Sequence, residues 1–311
     1  MCRRWDGNDW SAERPLQTSG GAKLAMGAQP ALAAYYPPKG NELLYCMGPG
    51  KASGSIQWTC SEDGIVWQPL RNTSQGTADD SVGLAPFGGS LCAVYNRAAQ
   101  QYWIAGKGQG SGLTWSDETL IGPKPDSPAA TSLASLGSSL VSVYVDGGGT
   151  QNSLAYRVYD TGALKPKWSA QQQLGSGQRS AKNNAQALVK DRLVCVYADF
   201  TGQGGYWLSW TTYDGDGWSG GRPAVDKAGN KIVDTYRVAA VGYRDRLFCV
   251  YSPGTGGLGW SVMHVPTDSG GGAQWDQAYW DTSQTLTSDS NAYAPALAAY
   301  NGNVYCVYLM D

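Results

Sequence analysis

The chain has 311 residues and a formal net charge of -2. That balance offers no basic footprint for nucleic acid or for an anionic membrane surface, and no apolar run approaches the ~20 residues of a membrane span. Glycine is abundant at 42, and 13 tryptophans and 19 tyrosines stand against 3 phenylalanines, a mix of turn formers and short aromatic runs that suits an all-β protein.

Taken from the N-terminus, the chain opens with no apolar signal core. Its first recognisable piece is Trp5-Asp6-Gly7-Asn8-Asp9-Trp10-Ser11, two short runs around a turn. It matches the second half of a unit that is intact further on: Leu193-Val194-Cys195-Val196-Tyr197, then Leu208-Ser209-Trp210, then Tyr213-Asp214-Gly215-Asp216-Gly217-Trp218-Ser219.

The unit recurs. A run of small and apolar residues comes first, as in Leu32-Ala33-Ala34-Tyr35 or Leu84-Ala85-Pro86-Phe87. Tight turns follow at Gly88-Gly89, Gly137-Ser138, Lys190-Asp191, Arg244-Asp245 and Asn301-Gly302. A strand signature comes next, centred on Cys46, Ala93, Ser142, Cys195, Cys249 and Cys306. It is apolar enough to be covered on both faces. A third strand carries Trp58, Trp210 or Trp260, and a fourth is marked by Trp10, Trp67, Trp115, Trp168, Trp218 and Trp275. Six repeats of about 50 residues predict a six-bladed β-propeller with four antiparallel strands per blade.

The C-terminal piece, Ala294-Pro295-Ala296-Leu297-Ala298-Ala299-Tyr300 and Val304-Tyr305-Cys306-Val307-Tyr308 around Asn301-Gly302, is a hairpin. It supplies only two strands. The last blade is therefore closed by C-terminal strands one and two and N-terminal strands three and four, which hides two sheet edges. The whole of residues 1–311 reads as a single propeller domain. Seven cysteines without metal spacing read as small buried hydrophobes. Reduced thiols suit a cytoplasmic protein, or one released without a recognisable signal peptide.

The turn Ser61-Glu62-Asp63-Gly64-Ile65-Val66-Trp67 resembles the Asp-box of sialidases, a structural turn far from their catalytic face. The arginine triad and Tyr–Glu pair that this resemblance would require for catalysis do not assemble from the sequence. Over its full length the chain more closely resembles the fungal fucose-specific lectins. The shared features are the strand ending in Tyr and the turn Asp214-Gly215-Asp216-Gly217-Trp218. The resemblance implies a six-bladed propeller. Fucose recognition in that family uses an Arg in strand two and a Glu in strand three. Here the matching strand-two positions hold Cys46, Ala93, Ser142, Cys195, Cys249 and Cys306, and the strand-three positions Trp58, Trp210 and Trp260. That mode of fucose binding is not implied.

The longer loops, after strand two and before strand one, share one face, which is the expected binding face. Residues entering strand one there are Gln29, Asp80, Asp126, Asn184, Asp234, Arg237, Asn291 and Tyr293. They are expected either to ring the mouth of a central funnel or to cap loose backbone at strand starts. The loops after strand two add Arg97, Tyr102, Trp103, Asp199, Phe200, Tyr206 and Trp207. An aromatic face beside a carboxylate or amide suits a sugar, whose C–H face stacks while its hydroxyls hydrogen-bond.

His264 is the single histidine and reads as structural. No catalytic triad, metal spacing or phosphate loop is present, so no catalytic residue, metal or cofactor is assigned. The expected function is lectin-like binding of a glycan or small molecule, without nucleic acid, a homo-oligomer being compatible with it. One alternative is an enzyme acting by substrate positioning in the central funnel, such as a pericyclase or cyclase of natural-product assembly. A second is a protein-interaction platform.

Overall fold

The computed structural model describes residues 1–51, 54–122, 129–147, 152–162, 167–175, 178–180, 183–200 and 205–311. Six antiparallel sheets form the blades of a propeller. Blade one runs from Ala31–Tyr35 through Leu43–Pro49 and Ser55–Ser61 to Arg71–Thr77. Blades two to five begin at Val82–Phe87, Ala129–Leu136, Asn184–Val189 and Thr235–Tyr243. Blade six pairs Ala292–Tyr300 with Asn303–Met310, and then Asn303–Met310 with Cys2–Trp5.

Ring closure follows the prediction. Cys2, Arg3, Arg4 and Trp5 pair with Val307, Cys306, Tyr305 and Val304. The fourth position is held by single bridges, Trp5 to Trp10 and Cys2 to Arg14, rather than by a continuous strand. Chain ends far apart in sequence thus satisfy each other's backbone groups along Cys2–Trp5 and Asn303–Met310.

Each second strand is apolar on both faces because each face meets a different blade. Side chains alternate along a strand. Tyr45 and Met47 pack towards blade two with Tyr95, while Leu44 and Cys46 pack towards blade six with Val307. The hydrophobic core is therefore divided into clusters between neighbouring blades. All seven cysteines are buried and free.

The Asp-Gly turns are local hydrogen-bonded devices. Asp63 Oδ1 accepts from the backbone N–H groups of Ile65 at 2.7 Å and Val66 at 2.8 Å. Gly64 between them has φ of +71°, where a side chain would also meet the Tyr305 ring. Asp214 accepts from Asp216 and Gly217 in the same way.

Two fourth-strand markers depart from the sequence reading. Trp67 pairs in parallel with Thr18, outside its own sheet, and Arg71–Thr77 is the outer strand of blade one. In blade five Trp280, not Trp275, occupies the strand position opposite Met263. Trp275 instead opens a 3-10 turn and donates from Nε1 to Asp191 of blade four at 3.3 Å. Both tryptophans are buried; an apolar aromatic on each side of the turn made the register ambiguous in the sequence.

Candidate functional site

A groove lies between blades five and six, at the face that carries the short turns. It is a cavity of about 330 Å³ lined by Trp5, Tyr243, Phe248, Trp260, Asp281 and Gln284, with Arg244 and Arg246 at its edge. That volume sits at the lower end of the ~300–1,000 Å³ usual for small-molecule sites.

Strand geometry builds its aromatic wall. Phe248 and Trp260 are inward on the blade-six side of blade five, stacked at 6.4 Å with ring planes 6° apart. Trp5 arrives from the N-terminal strand and meets Trp260 at 5.0 Å and Phe248 at 6.0 Å. Tyr243 closes the end, edge-on to Phe248 at 5.8 Å, with its hydroxyl donating to the Gly302 carbonyl across the blade boundary. Trp260 and Phe248 are buried and form the floor, whereas Trp5 and Tyr243 are partly exposed.

Asp281 supplies the polar wall. Its backbone N–H donates to Val262 at 2.9 Å, and its carbonyl accepts from Ser261 Oγ at 2.7 Å. The neighbouring Trp280 is almost fully buried, which anchors the segment. The carboxylate accepts from His264 Nε2 at 2.9 Å through Oδ2. A carboxylate can only accept, so this contact places the imidazole proton on Nε2. The imidazole in turn stacks on Tyr279 at 5.0 Å with planes 6° apart. His264 thus holds one oxygen of the Asp281 carboxylate.

The axial opening is organised differently from the expected ring of polar residues. On the face where strand one begins, Gln29 of blade one accepts from Asn183 Nδ2 of blade four at 3.0 Å and from Arg237 of blade five at 3.4 Å. Its amide donates to the carbonyls of Pro295 at 3.0 Å and Val238 at 3.4 Å. Arg237 also lies 3.7 Å from Asp80 of blade two. Blades one and four, and two and five, are opposite in a ring of six, so these contacts cross the axis. About 80 Å³ remains beneath them. At the other end the axis opens into about 270 Å³ lined chiefly by Leu32, Leu84, Leu133, Ala187, Ala240 and Leu297.

Among the described strand-entry residues, Asn184, Asp234 and Asn291 have other partners or face solvent. Asn184 turns to blade three, donating to Ala130 O at 2.9 Å and accepting from Ser132. Asp234 is exposed, with φ of +58°, and its carbonyl accepts from Gly254 at 3.1 Å. Asn291 is exposed at the start of blade six, and Tyr293 is partly buried near Asp311. Asp126 lies outside the described residues.

The loop residues divide between grooves. Arg97 pairs with Glu118 at 2.7 Å and lies 4.4 Å over Tyr102, which stacks on Tyr95. Trp103 points the other way and packs on Tyr159 and Trp168 of blade three. In blade four, Asp199 is paired with Trp207, and Phe200 with Tyr206. Directly paired residues share a face and the next pair takes the opposite one. Tyr206 therefore meets Tyr236 of blade five at 4.8 Å, while Asp199 and Trp207 belong to the other side. Asp199 accepts from Ser209 at 3.3 Å, and burial raises its carboxyl above the ordinary range. The sequence reading missed Tyr243, Phe248, Asp281 and Gln284 as one site. The recurring tryptophan and the lone histidine were its only visible signals.

No protein-family model matches the chain, and no curated protein matches it by sequence. Solved structures match the fold. The fucose-specific lectin of Aleuria aurantia is 15% identical with a TM-score of 0.60, over 92% of this chain and 89% of the lectin. AofleA from Arthrobotrys oligospora is 13% identical with a TM-score of 0.58, over 96% and 89%. The Trypanosoma rangeli sialidase is 9% identical with a TM-score of 0.56, and the chain spans 55% of its length. This chain is a six-bladed β-propeller, the architecture it shares with fungal fucose-specific lectins and with sialidases.

Proposed function

We propose that this protein is a lectin-like propeller that binds carbohydrate in the groove between blades five and six. The observation that carries the reading is the juxtaposition of the Trp5 and Tyr243 rings with the anchored Asp281 carboxylate around about 330 Å³. A pyranose presents an apolar C–H face to an aromatic ring and hydroxyls to a carboxylate or amide. Asp281 Oδ1 has no partner among the described residues, and Gln284 is exposed beside it. Asp199 with Trp207 is the second contact in this proposal. Two weak sites raise avidity well beyond one.

Its fold is that of proteins described as fucose-specific lectins, which supports the class of ligand but not the sugar. The alternative of a funnel enzyme is less favoured, since Gln29, Asn183, Arg237 and Asp80 bond across the axis on the expected binding face. A broad glycan array, followed by tryptophan-fluorescence titration of each hit, tests the reading. Asp281→Asn and Gln284→Ala should each weaken the hits while leaving the melting temperature unchanged. Silence across the array would reject carbohydrate binding and bring forward the protein-interaction alternative.

A further inference from the structure

We propose that the ligand of this groove carries an anionic group, a sulfate or a carboxylate, held by Arg244, Arg246 and Lys190. The proposal rests on the carbohydrate reading above and adds a charge requirement to it.

The aromatic groove does not end at Arg244 and Arg246. The same two residues form the wall of a second cavity of about 290 Å³, which continues to Lys190, His264, Thr267 and Tyr279. The two cavities are therefore adjoining compartments with the arginines between them. Asp281 and His264, in contact at 2.9 Å, line one compartment each.

Three cations, Lys190, Arg244 and Arg246, line the second compartment. Arg97, Arg222 and Arg237 each have a carboxylate partner within 4 Å. Among the described residues, Arg244, Arg246 and Lys190 have none. Lys190 Nζ donates to the Thr267 hydroxyl at 2.6 Å. Arg244 lies 4.9 Å over the Tyr243 ring. Of the two aspartates lining these compartments, Asp281 already accepts from His264, and Asp245 sits exposed in the turn between the arginines. Three cations thus line a concavity whose own carboxylate is Asp245, with the Asp281 carboxylate in the adjoining groove.

Cations gathered around a cleft focus a field that attracts an anion. Guanidinium groups pair with the two oxygens of a carboxylate, or with two oxygens of a tetrahedral sulfate, in charge-assisted bonds. A neutral sugar ring on Trp5 and Tyr243 would direct a substituent over the arginine wall into this compartment. The recognised class is therefore an acidic saccharide, either sulfated or containing a uronate.

The test compares one saccharide backbone in neutral, sulfated and uronate forms, titrated against the full chain and against the Arg244→Gln, Arg246→Gln double variant. Both arginines are exposed, and an unchanged melting curve establishes that the variant is folded. The expected result is at least a roughly tenfold preference for one acidic form over the neutral parent, reduced to near parity in the double variant. The preference should also shrink as salt is raised. The sulfated and uronate arms identify which anion is read. Equal binding of neutral and acidic forms, or a preference that survives in the double variant, would overturn the charge requirement alone. Binding of no saccharide in any form would overturn the carbohydrate reading and this proposal together.

Discussion

Gln29 and Asn183 are 154 residues apart in the chain, yet their side-chain amides meet at 3.0 Å across the propeller axis. Both are buried, and the Gln29 amide also bonds the carbonyls of blades five and six. A ring closed only by backbone pairing in blade six thus has a second fastening at its centre. Gln29→Ala leaves the Pro295 carbonyl without this donor and should destabilise by about 1–3 kcal/mol. Asp80→Ala removes only a half-exposed pair at 3.7 Å and should cost under about 1 kcal/mol. Urea unfolding of both variants checks the contrast; equal effects would mean that the clasp adds nothing beyond surface charge.

Three turn aspartates make acid the weak side of the fold. The backbone N–H groups of Asn8 and Asp9 hold Asp6 below the ordinary carboxylate range, and those of Gly217 and Asp216 do the same for Asp214. At Asp63 burial opposes ionisation, but the N–H groups of Val66 and Ile65 and the Ser61 hydroxyl outweigh it, so its pKa is also lowered. A depressed carboxylate contributes stability above its unfolded value and loses it as pH falls through the folded one. Melting temperature should therefore hold from neutrality to about pH 4 and drop below it. Asp63→Asn should melt lower at neutral pH and show a shallower acid slope.

The thiols should be silent in the native state. Burial pushes Cys46 and Cys92 up to about 12 and Cys60 to about 11, so little thiolate exists at about pH 8. Cys195, Cys249 and Cys306 are raised by the same cause. A thiol reagent should label none of the seven cysteines until denaturant is added, and all of them afterwards. Rapid native labelling would mean that the blade interfaces open locally.

Trp207 and Asp281 rank the two proposed contacts. Lys231 Nζ lies 3.4 Å from the centre of the Trp207 ring, so a sugar stacking on that face must displace a cation. Trp207→Ala should lower red-cell agglutination, and less than Asp281→Asn does. The reverse order in a dilution series would move the principal site to blade four.

Residue spacing carried the fold because a propeller repeats one local pattern. The run Val304-Tyr305-Cys306-Val307-Tyr308 matches Leu193-Val194-Cys195-Val196-Tyr197 closely enough to count blades and to place the closing strand. Where a pattern was locally degenerate, spacing failed: Trp275 and Trp280 flank one turn, and only pairing with Met263 singles out Trp280.

The site was less legible. Asp199, Phe200, Tyr206 and Trp207 are neighbours in sequence, but the pleat sends the two pairs to opposite faces. Trp5 and Trp260 are 255 positions apart by their numbers, and they touch at 5.0 Å because ring closure sets the first strand beside blade five.

By itself the amino-acid order determined the number of sheets, their four-strand plan and the sharing of one blade by the two termini. Those features follow from short-range periodicity and turn chemistry, which each repeat states independently. Only the tertiary structure decided which faces of neighbouring blades confront one another, that polar side chains meet over the axis, and that an aromatic groove adjoins a basic one. Those relationships depend on the angle and separation of different blades, which no single repeat encodes.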